Sequence, residues 1–135
     1  MRILIAEDDF VSRSMLHRFL EDYGDVDVAV NGAEAVKFFV LAMDENNPYD
    51  VIFLDVIMPE MDGLEALGKI RIKEKSMGIA SDKEVKIIMI TSLDFLAGIL
   101  DAYRKRVVRC NDYITKPVDL QELSEILGKY GFSKE

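Results

Sequence analysis

The sequence is poor in cysteine and in long apolar runs. Its single cysteine, Cys110, excludes an internal disulfide and favours a protein that works in a reducing compartment. A membrane span needs about 20 consecutive apolar residues, and no run of that length is present. The first apolar run, Ile3 to Ala6, leads directly into three acidic residues, so we expect no secretory signal peptide. These features predict a cytoplasmic protein without membrane insertion.

Basic residues are also scarce, with 17 lysines and arginines against 25 aspartates and glutamates and a net charge of −8. Such a chain is repelled by the phosphate backbone of nucleic acids, so direct nucleic-acid binding is not expected. The 135 residues contain no repeat, low-complexity tract or linker. A length of this order fits one domain with its own core, and we predict a single domain.

Short apolar runs alternate with longer segments of helical periodicity, which is typical of βα units around a parallel sheet. Continuous apolar runs at 51–54 and 87–90 predict strands covered on both faces, whereas the alternation at 25–30 predicts an edge strand. With 3–6 and 112–115 the strands number five. Helices are predicted from a stripe of Val11, Met15, Leu16, Phe19 and Leu20 to near Gly24, from Asn31 to about Asn46, from Gly63 to Lys75, from Asp94 into the basic residues Arg104, Lys105, Arg106 and Arg109, and from Asp119 to Tyr130.

Acidic side chains follow two of the predicted strands. Glu7, Asp8 and Asp9 come after the first, and Asp55 directly after the third. Ligands of open parallel α/β sheets bind at the carboxyl ends of the strands, so we expect Asp8, Asp9 and Asp55 to lie together. Clustered carboxylates repel one another unless a cation intervenes, and hard oxygen ligands suit Mg²⁺. One of Asp8 and Asp9 could instead cap the first helix, but capping does not explain Asp55.

Four motifs at the predicted strand ends resemble the receiver domain of two-component response regulators. They are Asp8-Asp9, Asp55 through Gly63, Thr91-Ser92 and Lys116-Pro117. Each motif alone is weak, whereas all four in this order are specific. The resemblance covers residues 1–128 and implies one receiver domain over 1–135 with a short C-terminal tail at 129–135. It also implies a flavodoxin-like (βα)5 fold: a five-stranded parallel sheet of order 2-1-3-4-5 with helices on both faces.

The resemblance implies a chemical role for each matching residue. Asp55 would be the phosphoacceptor, whose carboxylate attacks the phosphorus of a phosphohistidine, and Lys116 would pair with a phosphoryl oxygen. Asp9 would bind Mg²⁺ directly, with Mn²⁺ as a possible substitute, and Asp8 would act largely through water. The carboxylate of Asp55 and the backbone carbonyl of Ile57 would complete the protein ligands.

Further positions match the moving parts of the family. Thr91 corresponds to the hydroxyl residue that moves toward the new phosphate, and Tyr113 to the aromatic residue that turns inward on activation. Pro117 corresponds to a proline after a cis peptide bond. Ile57 and Leu93 match the positions that flank the path of the hydrolytic water; since both are branched and apolar, we predict slow self-dephosphorylation.

The implied function is that of a phosphoacceptor signalling switch, not an enzyme. A sensor histidine kinase or a phosphotransfer protein would donate the phosphoryl group, and an unknown protein would receive the signal; a relay intermediate or a phosphate sink is the alternative. The chain departs from the family in a longer stretch between Thr91 and Lys116, and in Arg109-Cys110-Asn111, where small residues are common. We interpret the basic residues near the end of the fourth helix as a complement to its dipole.

Three other classes fit the sequence less well. A flavodoxin-type FMN protein needs a phosphate-binding loop after the first strand, where the acids at 7–9 would repel the anion. A haloacid-dehalogenase-like phosphatase would need an Asp at position 57, which is Ile. A pseudo-receiver would be expected to lack an acid or the lysine, and none is missing.

Overall fold

The computed structural model of the chain describes residues 1–104 and 109–135. Within this part, five strands alternate with five helices: β1 (Arg2–Ala6), α1 (Phe10–Leu20), β2 (Asp25–Ala29), α2 (Gly32–Asp44), β3 (Val51–Asp55), α3 (Gly63–Ser76), β4 (Lys86–Thr91), α4 (Leu93–Arg104), β5 (Asp112–Thr115) and α5 (Leu120–Lys129). All strand pairs are parallel, in the order β2-β1-β3-β4-β5. The predicted (βα)5 fold and strand order are confirmed.

The sheet separates two hydrophobic cores, because successive side chains of a strand point to opposite faces. Leu4 and Ala6 of β1 belong to one core, which includes α2 and α3 residues such as Phe39 and Ile70. Ile3 and Ile5 belong to the other, together with Leu16 and Leu20 of α1 and Leu123 and Leu127 of α5. Helices therefore cover both faces, as predicted.

The edge and central strands differ in burial in the predicted way. Every residue of β3 is buried, whereas β2 has one buried residue out of five, at Ala29. The central strand is covered on both faces, which explains its continuous apolar run. No helix in the described part of the chain combines the length and apolar character that crossing a bilayer requires.

Two details of the predicted helices are wrong. Helix α1 ends at Leu20, before the predicted Gly24. Of the predicted apolar stripe, Leu16 and Leu20, one turn apart, contact the core, whereas Val11 and Met15 are exposed to 73% and 38%. Arg109 does not belong to the end of α4. It precedes β5 and forms an ion pair of 2.6 Å with Glu84. Lys105, Arg106 and the side chain of Arg104 lie outside the described residues.

Candidate functional site

A cavity of about 290 Å³ opens at the carboxyl ends of β1, β3, β4 and β5. Its position follows from the topology, because the carboxyl ends of parallel strands meet at one edge of the sheet. The strand-end residues that the sequence singled out lie here, and the lining consists of Glu7, Asp8, Asp9, Asp55, Val56, Ile57, Thr91, Ser92 and Lys116.

Three carboxylates of the cavity are close enough to share one cation. One oxygen from each of Glu7, Asp8 and Asp55 lies within 4.8 Å of the other two. Glu7 and Asp55 are buried, with 1% and 3% exposure, whereas Asp8 is exposed. Burial of two carboxylates side by side is unfavourable without a proton or a cation between them. The donor set, hard carboxylate oxygens only, fits Mg²⁺ or Mn²⁺.

Asp9 has a different role from the predicted one. Its Oδ2 accepts a hydrogen bond of 2.9 Å from the backbone N–H of Ser12 and caps α1, and this bond lowers the pKa of its carboxyl group. The geometry therefore does not support Asp9 as the direct metal ligand, and Glu7 takes its place in the cluster. The signal was present in the sequence: β1 ends at Ala6, so the first two acids after the strand are Glu7 and Asp8.

Lys116 provides the positive charge of the site. Its Nζ donates a hydrogen bond of 2.9 Å to Oδ2 of Asp55 and lies 3.4 Å from Oε2 of Glu7. Burial opposes its charge, but the hydrogen bond and the attraction of Asp55 and Glu7 outweigh burial, so the pKa of Lys116 is raised. The Lys116–Pro117 peptide bond is cis, as the resemblance implies.

Glu7 is the most perturbed acid of the site. Burial, followed by the closeness and negative charge of the Asp55 carboxylate, raises the pKa of Glu7 to about 7. Its Oε1 accepts from the backbone N–H of Asp9, whereas Oε2 has no hydrogen-bond partner among the described residues. Two buried carboxylates against one ammonium leave surplus negative charge, which a proton or a cation would balance.

The hydroxyl groups beside the carboxylates have weak partners or none. Thr91 is buried, with 1% exposure, and its Oγ1 donates to the backbone oxygen of Ser92 at 3.2 Å. The Oγ of Ser92 is buried without a hydrogen-bond partner in the described structure. Tyr113 lies further away on β5, half-buried against the core beneath α2 and α3.

The loop after Asp55 is held close to the strand end. Gly63 N–H donates to the carbonyl of Val56 at 2.8 Å, and a Cβ at Gly63 would lie 2.1 Å from the carbonyl oxygen of Asp55, so only glycine fits there. Ile57 N–H donates to Oδ1 of Asp55 at 3.3 Å. The side chains of Ile57 and Leu93 are 54% and 71% exposed.

Comparisons with known proteins agree with this architecture. Residues 3–128 match the response regulator receiver domain family. The chemotaxis protein CheY of Listeria monocytogenes is 36% identical over 132 residues, covering 96% of this chain and 97% of that protein. The hybrid signal transduction histidine kinase L of Dictyostelium discoideum is 32% identical over 96% of this chain, which spans only 7% of that kinase.

A solved structure, the receiver domain of Ssk1 bound to the histidine phosphotransfer protein Ypd1 of Saccharomyces cerevisiae, superposes with a TM-score of 0.79 at 31% identity. It covers 97% of this chain and 88% of that one. The parallel five-stranded sheet with clustered acids, a hydroxyl and a lysine at its strand ends defines a phosphoacceptor switch domain. The chain belongs to the response regulator receiver domain family of two-component signalling.

Proposed function

We propose that this chain, as one receiver domain over 1–135, accepts a phosphoryl group on Asp55 and switches conformation to signal to a partner protein. The observation that carries the proposal is the placement of Asp55. It is 3% exposed at the end of β3, hydrogen-bonded to Lys116 at 2.9 Å, and grouped with Glu7 and Asp8. The Asp55 carboxylate, the Lys116 ammonium and the carboxylates of Glu7 and Asp8 thus meet in one cavity.

The residues present supply what phosphoryl transfer requires, which is positioning and charge neutralisation. A carboxylate oxygen of Asp55 forms the new P–O bond while the P–N bond of a donor phosphohistidine breaks, and its electron pair leaves with the imidazole. Lys116 keeps its proton throughout and balances charge on a phosphoryl oxygen. Glu7, Asp8, Asp55 and the backbone carbonyl of Ile57 would hold a divalent cation, which would supply further neutralisation when bound. Because burial raises the pKa of Glu7, a cation held there would compete with a proton for its carboxylate.

Thr91 and Tyr113 are the proposed moving parts. The hydroxyl of Thr91 makes only a long bond to the next residue, so little holds it in place before a phosphoryl oxygen offers a better acceptor. Tyr113 is half-buried and therefore has room to become more buried. A shift of Thr91 toward Asp55 would change the surface beside β4, and Tyr113 would fill the space that opens.

The lifetime of the phosphorylated state is proposed to be long. Self-dephosphorylation requires a water that attacks the phosphorus in line with the bond to Asp55. Ile57 lines the cavity, and Leu93 directly follows Ser92, which also lines it. Both side chains are exposed and apolar and offer no donor or acceptor to orient that water. Slow decay suits a sustained signal or a relay more than a fast response.

The phosphodonor is proposed to be a sensor histidine kinase or a phosphotransfer protein. Apolar side chains with 48–73% exposure occur in the segments that begin at the cavity: Phe10, Val11, Ile57, Leu93 and Phe95. Exposed apolar groups next to a polar site indicate a protein contact surface. The related Ssk1 receiver is seen bound to a phosphotransfer protein, which supports this class of donor. The single cysteine supports a cytoplasmic location.

Replacement of Asp55 tests the proposal. Asp55→Asn should fold but incorporate no acid-labile phosphate from acetyl phosphate and Mg²⁺, because an amide is a far poorer nucleophile. Asp62→Asn is the matched control: it lies in the same loop, and Asn caps α3 as well as Asp does. Incorporation into Asp55→Asn at the wild-type rate would refute the assignment.

A further inference from the structure

A second buried ionic cluster lies at the opposite end of the sheet, where β4 and β5 begin. Arg71 and Glu74 of α3 are 6% and 1% exposed and form an ion pair of 2.8 Å. Arg71 also donates to the carbonyls of Val85 at 2.8 Å and Arg109 at 2.9 Å. The second oxygen of Glu74 accepts from the N–H of Val85 at 2.7 Å. The phosphoacceptor chemistry uses none of these groups.

Asn111 connects this cluster to β5. Its Oδ1 accepts two hydrogen bonds, from the N–H of Ile87 at 2.8 Å and from Nη2 of Arg71 at 3.0 Å. Both partners are donors, so the amide oxygen and not the amide nitrogen must face them. The backbone N–H of Asn111 donates to the carbonyl of Ile87 at 2.9 Å, and its carbonyl accepts from the hydroxyl of Tyr130 at 2.7 Å. One residue thus ties together α3, β4 and α5.

We propose that Arg71 and Asn111 are positioning residues that set where Lys116 stands relative to Asp55. The proposal rests on the proposed role of Lys116 in phosphoryl transfer. Strand β5 has four residues, lies at the edge of the sheet and is paired only with β4, so its ladder alone fixes it weakly. Asn111 holds the start of this strand, and Lys116 directly follows its end.

Lys116 and Asn111 lie at opposite ends of β5, so the position of Lys116 depends on the hydrogen bonds that hold Asn111 at the start of the strand. Lys116 lies five positions after Asn111, which is roughly 16 Å along an extended strand. At the far end one backbone bond, from Lys116 N–H to the carbonyl of Thr91 at 2.7 Å, holds the chain. When the bonds of Asn111 are lost, β5 can tilt or slide against β4, and a displacement near 1 Å at Lys116 is enough to impair a catalytic contact.

The test compares variants of Asn111, which is a surface residue and can be replaced without opening the core. Asn111→Leu has similar size but no acceptor, and Asn111→Asp keeps the acceptor and places a charge beside Arg71. Tyr49→Phe is the control, because it too removes side-chain hydrogen bonding at a sheet edge, in this case the 2.7 Å bond to Asp27 at the β2 edge. The readouts are the rate of phosphorylation by acetyl phosphate, normalised to the folded fraction, and the affinity for Mg²⁺.

Asn111→Leu should slow phosphorylation about tenfold, whereas Asn111→Asp and Tyr49→Phe should stay near the wild-type rate. Mg²⁺ affinity should not change, because Glu7 and Asp8 follow β1 and Asp55 ends β3, away from β5. In a Lys116→Ala background Asn111→Leu should cause no further loss. A wild-type rate for Asn111→Leu, or an equal loss with and without Lys116, would overturn the inference. If Lys116→Ala alone phosphorylates normally, the proposed role of the lysine fails instead.

Discussion

Two buried ionic clusters lie at opposite ends of the same sheet and differ in how well they are satisfied. In the Arg71–Glu74 cluster the two opposite charges balance, and both oxygens of Glu74 accept hydrogen bonds. At the carboxyl ends of the strands, Glu7 and Asp55 share one ammonium, and an oxygen of Glu7 has no hydrogen-bond partner among the described residues. The carboxylates of Glu74, Glu7 and Asp55 are all buried, so the difference between them lies in charge balance and not in exposure.

The comparison shows how a structural cluster can be told from a reactive one. Buried polar groups are costly unless they are paired, and a fully paired network rigidifies the structure around it. The Arg71–Glu74 cluster therefore fixes the starts of β4 and β5. The cluster around Asp55 retains negative charge, which an additional proton or cation can compensate, and such imbalance is typical of functional sites.

The largest effect should come from breaking the balanced cluster. Arg71→Met leaves Glu74 charged and buried, and we expect a loss of about 3–5 kcal/mol in the free energy of unfolding. Lys116→Met should cost only about 1 kcal/mol at pH 6, because Lys116 is partly exposed and Glu7 can take up a proton. Urea unfolding of both variants measures the difference. Equal losses would show that the two clusters are not distinct in kind.

The pH dependence of stability should reveal the unbalanced cluster. The pKa of Glu7 is about 7 in the folded state and 4.5 ordinarily, so the folded state binds the extra proton between these values. Stability without divalent cations should therefore fall as pH rises from 4.5 to 7, by about 1–2 kcal/mol after solvent screening is considered.

Glu7→Gln isolates this contribution. The amide cannot ionise, so the variant should lack this part of the decline while it keeps the pH dependence of all other groups. Chemical unfolding of both proteins at pH 5 and pH 8 provides the comparison. If the two proteins lose the same stability over this range, Glu7 is not the titrating group.

Metal affinity should separate Asp8 from Asp9. Asp8→Asn removes a carboxylate from the cluster and should weaken Mg²⁺ binding at least about tenfold. Asp9→Asn should change affinity and stability little, because Asn caps α1 as well as Asp does. Calorimetric titration of the two isosteric variants with Mg²⁺ decides the matter. A greater loss in Asp9→Asn would restore Asp9 as the direct ligand.

The smallest effect should be on the lifetime of the phosphorylated state. Replacing Ile57 by Asn and Leu93 by Glu gives water polar partners and should speed phosphate loss roughly tenfold or less. Leu41→Asn, at an exposed apolar position on α2, is the control and should leave decay unchanged. Phosphate release after removal of the donor gives the rates. Decay of the double variant no faster than wild type would contradict the shielding role.

The strands and helices could be predicted because they depend on local patterns, and the strand order because the motifs at the strand ends resemble a known family. Asp55 was found because it ends a continuous apolar run, and the edge strand because its residues alternate. The choice between Glu7 and Asp9 was missed because it depends on a single residue at the boundary of β1 and α1, where pattern-based boundaries are least accurate.

The burial of the Arg71–Glu74 cluster could not be predicted from the sequence for a different reason. An arginine and a glutamate three residues apart are typical of an exposed helix face. They are buried here only because the segments around Val85 and Asn111, distant in the chain, come to rest on α3. No periodicity in the helix itself signals that contact.

Locating the phosphoryl group on the chain tests the central claim most directly. The protein is phosphorylated with acetyl phosphate and Mg²⁺, reduced with borohydride to convert an aspartyl phosphate to homoserine, and sequenced by mass spectrometry. We predict homoserine at position 55 alone, and none without Mg²⁺. Homoserine at Asp8 or at another aspartate, with Asp55 unmodified, would contradict the assignment of Asp55 as the phosphoacceptor.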